Sequence, residues 1–149
     1  MNGEADILLV EDNRTDAELI AEALKDSGLS HRLDIVTDGA EAIKVLKEPE
    51  KPHLVLLDLN LPKKSGLEVL KVMKRSPKLS LIPTIILTNS KSKEDVAKCY
   101  RAHCNAYIRK PIGFDALLTV IESTIRFWLR TATLANEPPI SKLTIRPPE

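Results

Sequence analysis

With 149 residues, 43% of them hydrophobic, the chain is long enough to bury one sizeable core. Its 22 lysines and arginines balance 21 aspartates and glutamates, which excludes a nucleic-acid binder working by bulk charge and excludes an acidic tail. No signal-like opening and no apolar run of ~18 residues is present, and two close cysteines are too few for a disulfide scaffold, so a reduced cytoplasmic setting without membrane or nucleic-acid partners is expected.

In chain order, Asp6 to Val10 (DILLV) is an apolar run closed by two acids, Glu11 and Asp12. Asn13 and Asp16 suit the cap of a helix from Thr15 to Ser27, whose Ala17, Leu19, Ile20, Ala23 and Leu24 recur at helical spacing. Gly28 stops it. His31 to Thr37 reads as a strand, and Asp38 and Gly39 turn the chain into a helix carrying Ala42, Ile43, Val45 and Leu46. Leu54, Val55, Leu56 and Leu57 form an unbroken apolar run, the pattern of a strand covered on both faces, and it ends on Asp58.

Gly66 permits a tight turn into a helix with Leu67, Val69, Leu70, Val72 and Met73 on its apolar stripe. Pro77 and Pro83 bound a loop, and Thr84 to Leu87 is a strand ending at Thr88, Asn89 and Ser90. Lys93 to Ala102 is a polar helix with few apolar residues, weakly anchored and able to move. Ala106 to Arg109 is a short strand ending at Lys110 and Pro111, and the last helix starts near Gly113 or Phe114 and runs past Arg130.

Five strand–helix pairs in strict alternation predict an α/β fold with a parallel sheet and helices on both faces. Right-handed crossovers leave few arrangements, and the flavodoxin-like, doubly wound order 2-1-3-4-5 is the common one at this size. That order gathers Glu11, Asp12, Asp58, Thr88 and Lys110 at the carboxyl edge, where open α/β sheets bind ligands. Neighbouring strands lie ~4.8 Å apart, so Asp12 and Asp58 can share one cation. Three acids repel one another and need counter-charge from Lys110 or a divalent metal. Mg²⁺ takes oxygen ligands, and the backbone carbonyl of Asn60 is placed to add one. The Thr88 hydroxyl and the Lys110 ammonium suit phosphate oxygens. The plainer reading of Asp58 is a loop cap.

The stretches LLVEDN, VLLDLNLPKKSG, IILTNS and AYIRKP together resemble the receiver domain of two-component response regulators, over roughly Asp6 to Arg130. The resemblance implies that Asp58 accepts a phosphoryl group from a phosphohistidine on a sensor histidine kinase. It implies Mg²⁺ on Asp12, with Glu11 contributing directly or through water, and phosphoryl oxygens on Thr88, Lys110 and the Asn89 backbone N–H. Tyr107 resembles the family's aromatic switch, which turns inward when Thr88 moves toward the phosphate. A cis Lys110–Pro111 peptide is implied as well. The residue after the hydroxyl is often small in this family; here it is Asn89, which leaves the dephosphorylation rate open.

FWLRTATL, Phe127 to Leu134, is similar to the C-terminal segment of small single-domain response regulators that partner cyanobacterial phytochromes. That implies a phytochrome-type kinase and a homodimer joined through Phe127, Trp128, Tyr107 and Leu134. Residues 5–131 are then the receiver domain and 132–149 a Pro-rich extension without an output domain. Its alternating Ile140, Leu143 and Ile145 would cover a neighbour's sheet edge. Other readings are an intermediate phosphoryl carrier in a longer relay, an inactive interaction module, or an aspartyl-phosphate phosphatase. The phosphatase class commonly carries a second Asp two residues after its nucleophile, where this chain has Asn60. The expected protein is no enzyme beyond its own phosphorylation and dephosphorylation. Cys99, His103 and Cys104 are read as ordinary packing rather than a zinc site.

Overall fold

The computed structural model describes residues 4–137. Five strands, β1 (Ala5–Val10), β2 (His31–Val36), β3 (Leu54–Leu57), β4 (Thr84–Thr88) and β5 (Ala106–Arg109), form one parallel sheet in the order β2-β1-β3-β4-β5. The helices are α1 (Arg14–Asp26), α2 (Gly39–Leu46), α3 (Gly66–Arg75), α4 (Lys93–Arg101) and α5 (Phe114–Arg126). This is the flavodoxin-like doubly wound fold. No helix among the described residues is long and apolar enough to cross a membrane.

Side-chain alternation along the strands divides the core in two. Ile7, Leu9, Leu54, Leu56, Ile85 and Leu87 point to one face, where they pack with Ile20 and Leu24 of α1 and Leu117, Ile121 and Ile125 of α5. Leu8, Val10, Val55, Leu57 and Ile86 point to the other, against Leu46 of α2, Leu70 and Met73 of α3 and Cys99 of α4. An uninterrupted apolar run is therefore what β3 requires, since both of its faces are buried.

Caps set the helix starts. Asn13 accepts from the Asp16 N–H at 2.9 Å, so α1 begins at Arg14 and Asp16 is left free to point elsewhere. Ser65 and Glu68 form a reciprocal capping box on α3. Of the residues of α4 only Cys99 is buried, which agrees with a weakly anchored helix. The loop between Pro77 and Pro83 contains a 3₁₀ turn, Leu79–Leu81, with Leu79 buried.

The last helix runs past Arg130 as expected, though not regularly: after α5 the chain widens into a π turn, Phe127–Thr131, closed by Ala132 N–H donating to the Phe127 carbonyl at 2.7 Å. That turn brings Leu134 back onto the α1–α5 core, where it is 7% exposed and has little apolar area of its own to offer a partner. Trp128 is half-buried against the same core and meets Phe127 edge-on, with ring centroids 5.0 Å apart. One expectation is corrected: no described peptide bond is cis, so Lys110–Pro111 is trans. Trans is the intrinsically favoured isomer, and Lys110 reaches across the sheet edge without the other. Ile140, Leu143 and Ile145 lie outside the described residues.

Candidate functional site

Backbone pairing carries the site residues past the strand ends. The Asp58 N–H donates to the Val10 carbonyl at 3.0 Å, which sets Asp58 beside Glu11. The Lys110 N–H donates to the Thr88 carbonyl at 2.8 Å and sets Lys110 beside β4. The loop after Asp58 folds back tightly: a Cβ on Gly66 would stand 2.1 Å from the Asp58 carbonyl oxygen, so only glycine fits there.

The side chains then converge. Lys110 Nζ lies 2.6 Å from Glu11 Oε1, 2.8 Å from Asp16 Oδ2 and 3.3 Å from Asp58 Oδ2. Glu11, Asp58, Thr88 and Lys110 are buried, while Asp12, Asn60 and Asn89 are exposed at the rim. The second Glu11 oxygen accepts from the Asn13 N–H at 3.1 Å, and Asp58 Oδ1 accepts from the Asn60 N–H at 3.3 Å. Thr88 Oγ1 accepts from the Ser90 N–H at 3.4 Å, and the Tyr107 hydroxyl donates to the Ser90 carbonyl at 3.1 Å.

Burial pushes the Glu11 carboxyl up to about 7, with the Lys110 hydrogen bond opposing and the Asp58 charge adding. Burial pulls the Lys110 ammonium down, but its bonds to Asp16 and Glu11 and the charge of Asp58 prevail and hold it above its ordinary value. Glu11, Asp12 and Asp58 each offer an oxygen within 4.8 Å of the others, and no other group of three His, Cys, Asp or Glu among the described residues is so placed. A set of hard oxygen donors with one alkylammonium beside it fits Mg²⁺ rather than zinc. Cys99 and Cys104 are core residues, burial pushing the Cys99 thiol up to about 11, and His103 is exposed in a left-handed turn. They form no ligand set.

Glu11, Asp12, Asp58, Thr88 and Lys110 are thus brought together at one edge, with Tyr107 linked to them through Ser90. Sequence reading missed two residues. Asp16 reads as a cap in the sequence, whereas in the structure it accepts a hydrogen bond from Lys110. The signal was available: Asn13 is already a good cap, which frees an acid three residues on to face the Glu11–Asp12 pair. The other is Tyr100, on α4, whose hydroxyl accepts the Tyr107 backbone N–H at 3.2 Å and so covers part of the β5 edge.

A doubly wound parallel sheet with an acid–lysine cluster at its carboxyl edge places the chain among α/β proteins whose ligand site lies at the strand ends. Residues 7–122 match the response regulator receiver domain, and the chain belongs to that family. It is 42% identical over 134 residues to the response regulator Rcp1 of Synechocystis sp., covering 86% of this chain and 91% of the relative. Among solved structures, it is similar to the phosphorylated cyanobacterial phytochrome response regulator RcpA, with a TM-score of 0.86, 41% identity and coverage of 89% and 99% of the two chains. The Mn²⁺-bound form of Rcp1 matches with a TM-score of 0.81, 40% identity and the same coverage of 89% and 99%.

Proposed function

We propose that this receiver domain accepts a phosphoryl group on Asp58 from the phosphohistidine of a sensor histidine kinase of the phytochrome type. The observation that carries the reading is the convergence of Lys110 on Asp58 and Glu11 next to Asp12, at the end of a rigid, fully buried strand. The phytochrome assignment is supported by the similarity to RcpA. Residues 5–131 would form the receiver unit, with 132–149 as its extension.

An Asp58 carboxylate oxygen forms the bond to phosphorus as the phosphorus–nitrogen bond to the donor imidazole breaks. The electron pair goes to the imidazole nitrogen, which takes up a proton. Glu11, Asp12, Asp58 and the Asn60 carbonyl would hold Mg²⁺, whose chemistry there is to neutralise charge on the phosphoryl oxygens. Lys110 transfers hydrogen bonds from its carboxylates to a phosphoryl oxygen. Thr88 donates its hydroxyl to another, and the Asn89 N–H serves a third. Movement of Thr88 shifts Ser90, whose carbonyl holds Tyr107, and the Tyr107 ring turns inward. Asn60 has no carboxyl proton to exchange, which disfavours the phosphatase reading.

The same ring movement would alter a homodimer surface formed by Tyr107 and the edge-on pair Phe127 and Trp128, of which Phe127 is 49% exposed. Acetyl phosphate with Mg²⁺ tests the chemistry: the wild type gains one alkali- and hydroxylamine-labile phosphoryl group, while Asp58→Asn or excess chelator abolishes it. Uptake at the wild-type rate by Asp58→Asn rejects the assignment. Sedimentation tests the pairing, since Phe127→Ala should move the equilibrium toward monomer.

A further inference from the structure

The near-zero total charge conceals a segregation. Residues 1–59 hold fourteen Asp and Glu against six Lys and Arg, whereas residues 60–110 hold twelve Lys and Arg against three Asp and Glu. The strand order converts these segments into sides of the molecule. The first builds β2, β1, β3, α1 and α2, and the second builds α3, β4, α4 and β5. The protein is therefore a charge dipole across its sheet, with most of the cations on the α3–α4 side; Lys110 lies instead in the acid cluster, and Lys63 pairs with Asp38.

A groove runs along that side. Between α3 and α4 lies a hollow of about 340 Å³ lined by Leu67, Lys71, Lys98, Arg101 and Ala102. A second hollow of about 200 Å³ shares Leu67 and Lys98 with it and extends to Asn60 and Ser65, in the loop after Asp58, and to Asp95, whose carboxylate accepts the Ser90 hydroxyl. The floor is apolar, from Leu67 and Ala102, and the rim is cationic, with Lys71, Lys98 and Arg101 all exposed. Among the described residues neither Lys71 nor Arg101 makes an ion pair. Among the same residues Lys98 pairs with Glu94, at 3.0 Å, where both side chains are about half exposed or more (49% and 73%), so an incoming carboxylate can displace it at little cost.

We propose that this groove docks an acidic amphipathic segment of a partner protein, with carboxylates on Lys71, Lys98 and Arg101 and an apolar side chain on Leu67 and Ala102. Charge and shape together favour that occupant. A long nucleic acid would also meet the acidic side of the molecule, and the groove lacks an aromatic on which to stack a base. A second copy binding acidic side to basic side would make a head-to-tail contact, which closes only at particular rotations and otherwise grows into open chains. The inference deepens the proposed function and rests on it in one respect, the timing of docking. One wall of the groove is α4, which is anchored by Cys99 and tied to Thr88 through Ser90, whose hydroxyl bonds Asp95 of that helix. A change at the phosphoryl site therefore reaches the groove.

The test is selection of a displayed library of random peptides, about twelve residues each, against the full chain, followed by anisotropy of the labelled winners. Enriched peptides should be acidic with a leucine or isoleucine, bind more weakly at high salt, and shift amide resonances of Leu67, Lys71, Lys98, Arg101 and Ala102. The exposed double substitution Lys71→Glu with Arg101→Glu should weaken them at least about tenfold, while Lys71→Arg retains binding. The proposal is overturned if no peptide is enriched, if the winners are neutral or basic, or if their shifts map elsewhere. It is equally overturned if a single-stranded DNA of similar length binds as tightly, or if the chain self-associates at low salt through the same cations. Peptide binding is read without phosphorylation. A chain that takes up no phosphoryl group but binds the peptides rejects the phosphorelay reading alone, and the converse result rejects this one alone.

Discussion

Asp16 and Glu11 hold Lys110 closer than Asp58 does: the ammonium is 2.8 Å from Asp16 Oδ2 and 2.6 Å from Glu11 Oε1, against 3.3 Å from Asp58 Oδ2. Asp16 therefore competes with a phosphoryl group for the lysine. Asp16→Asn keeps the shape and removes the charge, which frees Lys110 for the phosphoryl oxygens. Loss of the adduct should slow by roughly three- to tenfold, in line with the ~1 kcal/mol or so separating charged from neutral hydrogen bonds. Following adduct decay on phosphate-affinity gels checks this, and an unchanged or faster decay contradicts it.

Removing the lysine has the opposite character. Lys110→Ala leaves the buried Glu11 and Asp58 carboxylates without their counter-charge, and destabilisation of about 3–5 kcal/mol at neutral pH is expected. The loss should shrink as pH falls and a carboxyl takes up a proton, and also when Mg²⁺ is added. Urea denaturation at two pH values, with and without Mg²⁺, measures both effects.

His53 gives the fold a distinct pH dependence at the opposite end of the sheet. Its Nδ1 accepts the Asp6 N–H at 2.9 Å, which requires that nitrogen to be unprotonated. Burial lowers its pKa below the ordinary 6.5, and the Asp6 and Glu137 carboxylates only partly offset this. Below 6.5 the unfolded chain binds a proton that the folded ring resists. The contribution is thus complete above pH ~6.5 and is lost as pH falls toward the folded value. His53→Asn supplies an uncharged acceptor at the same place and should remove that part of the acid dependence, as thermal melts across pH 5 to 8 would show.

Gly66 is expected to be intolerant of any side chain. A methyl group there meets the backbone of Asp58, an obstacle that cannot swing aside. Gly66→Ala should cost about 1–3 kcal/mol and slow phosphoryl uptake, because the displaced strand end carries the nucleophile. Uptake kinetics at matched folded fraction separate the two effects, and a stable variant with the native rate would contradict the crowding.

The period-2 and period-3.6 patterns determined most of the fold. A fully buried parallel strand needs apolar residues on both faces, as in Leu54 to Leu57, and an amphipathic helix needs one stripe, as in α1. The acids and the lysine were legible because each directly follows such a run, and strand ends in this topology share one edge. What the runs do not encode is where a side chain goes after the regular element stops. The role of Asp16 was decided by Asn13 taking the cap and by Lys110 arriving from a residue 94 positions away. Leu134 was decided by the π turn that returns the chain to its own core, and the trans Lys110–Pro111 bond by a lysine long enough to cross the edge without the rarer isomer. The charge dipole belongs to both levels. Its two segments are written in the sequence, but only the strand order 2-1-3-4-5 sets one on each side of the molecule, because crossover connections, not proximity in the chain, decide which helices become neighbours.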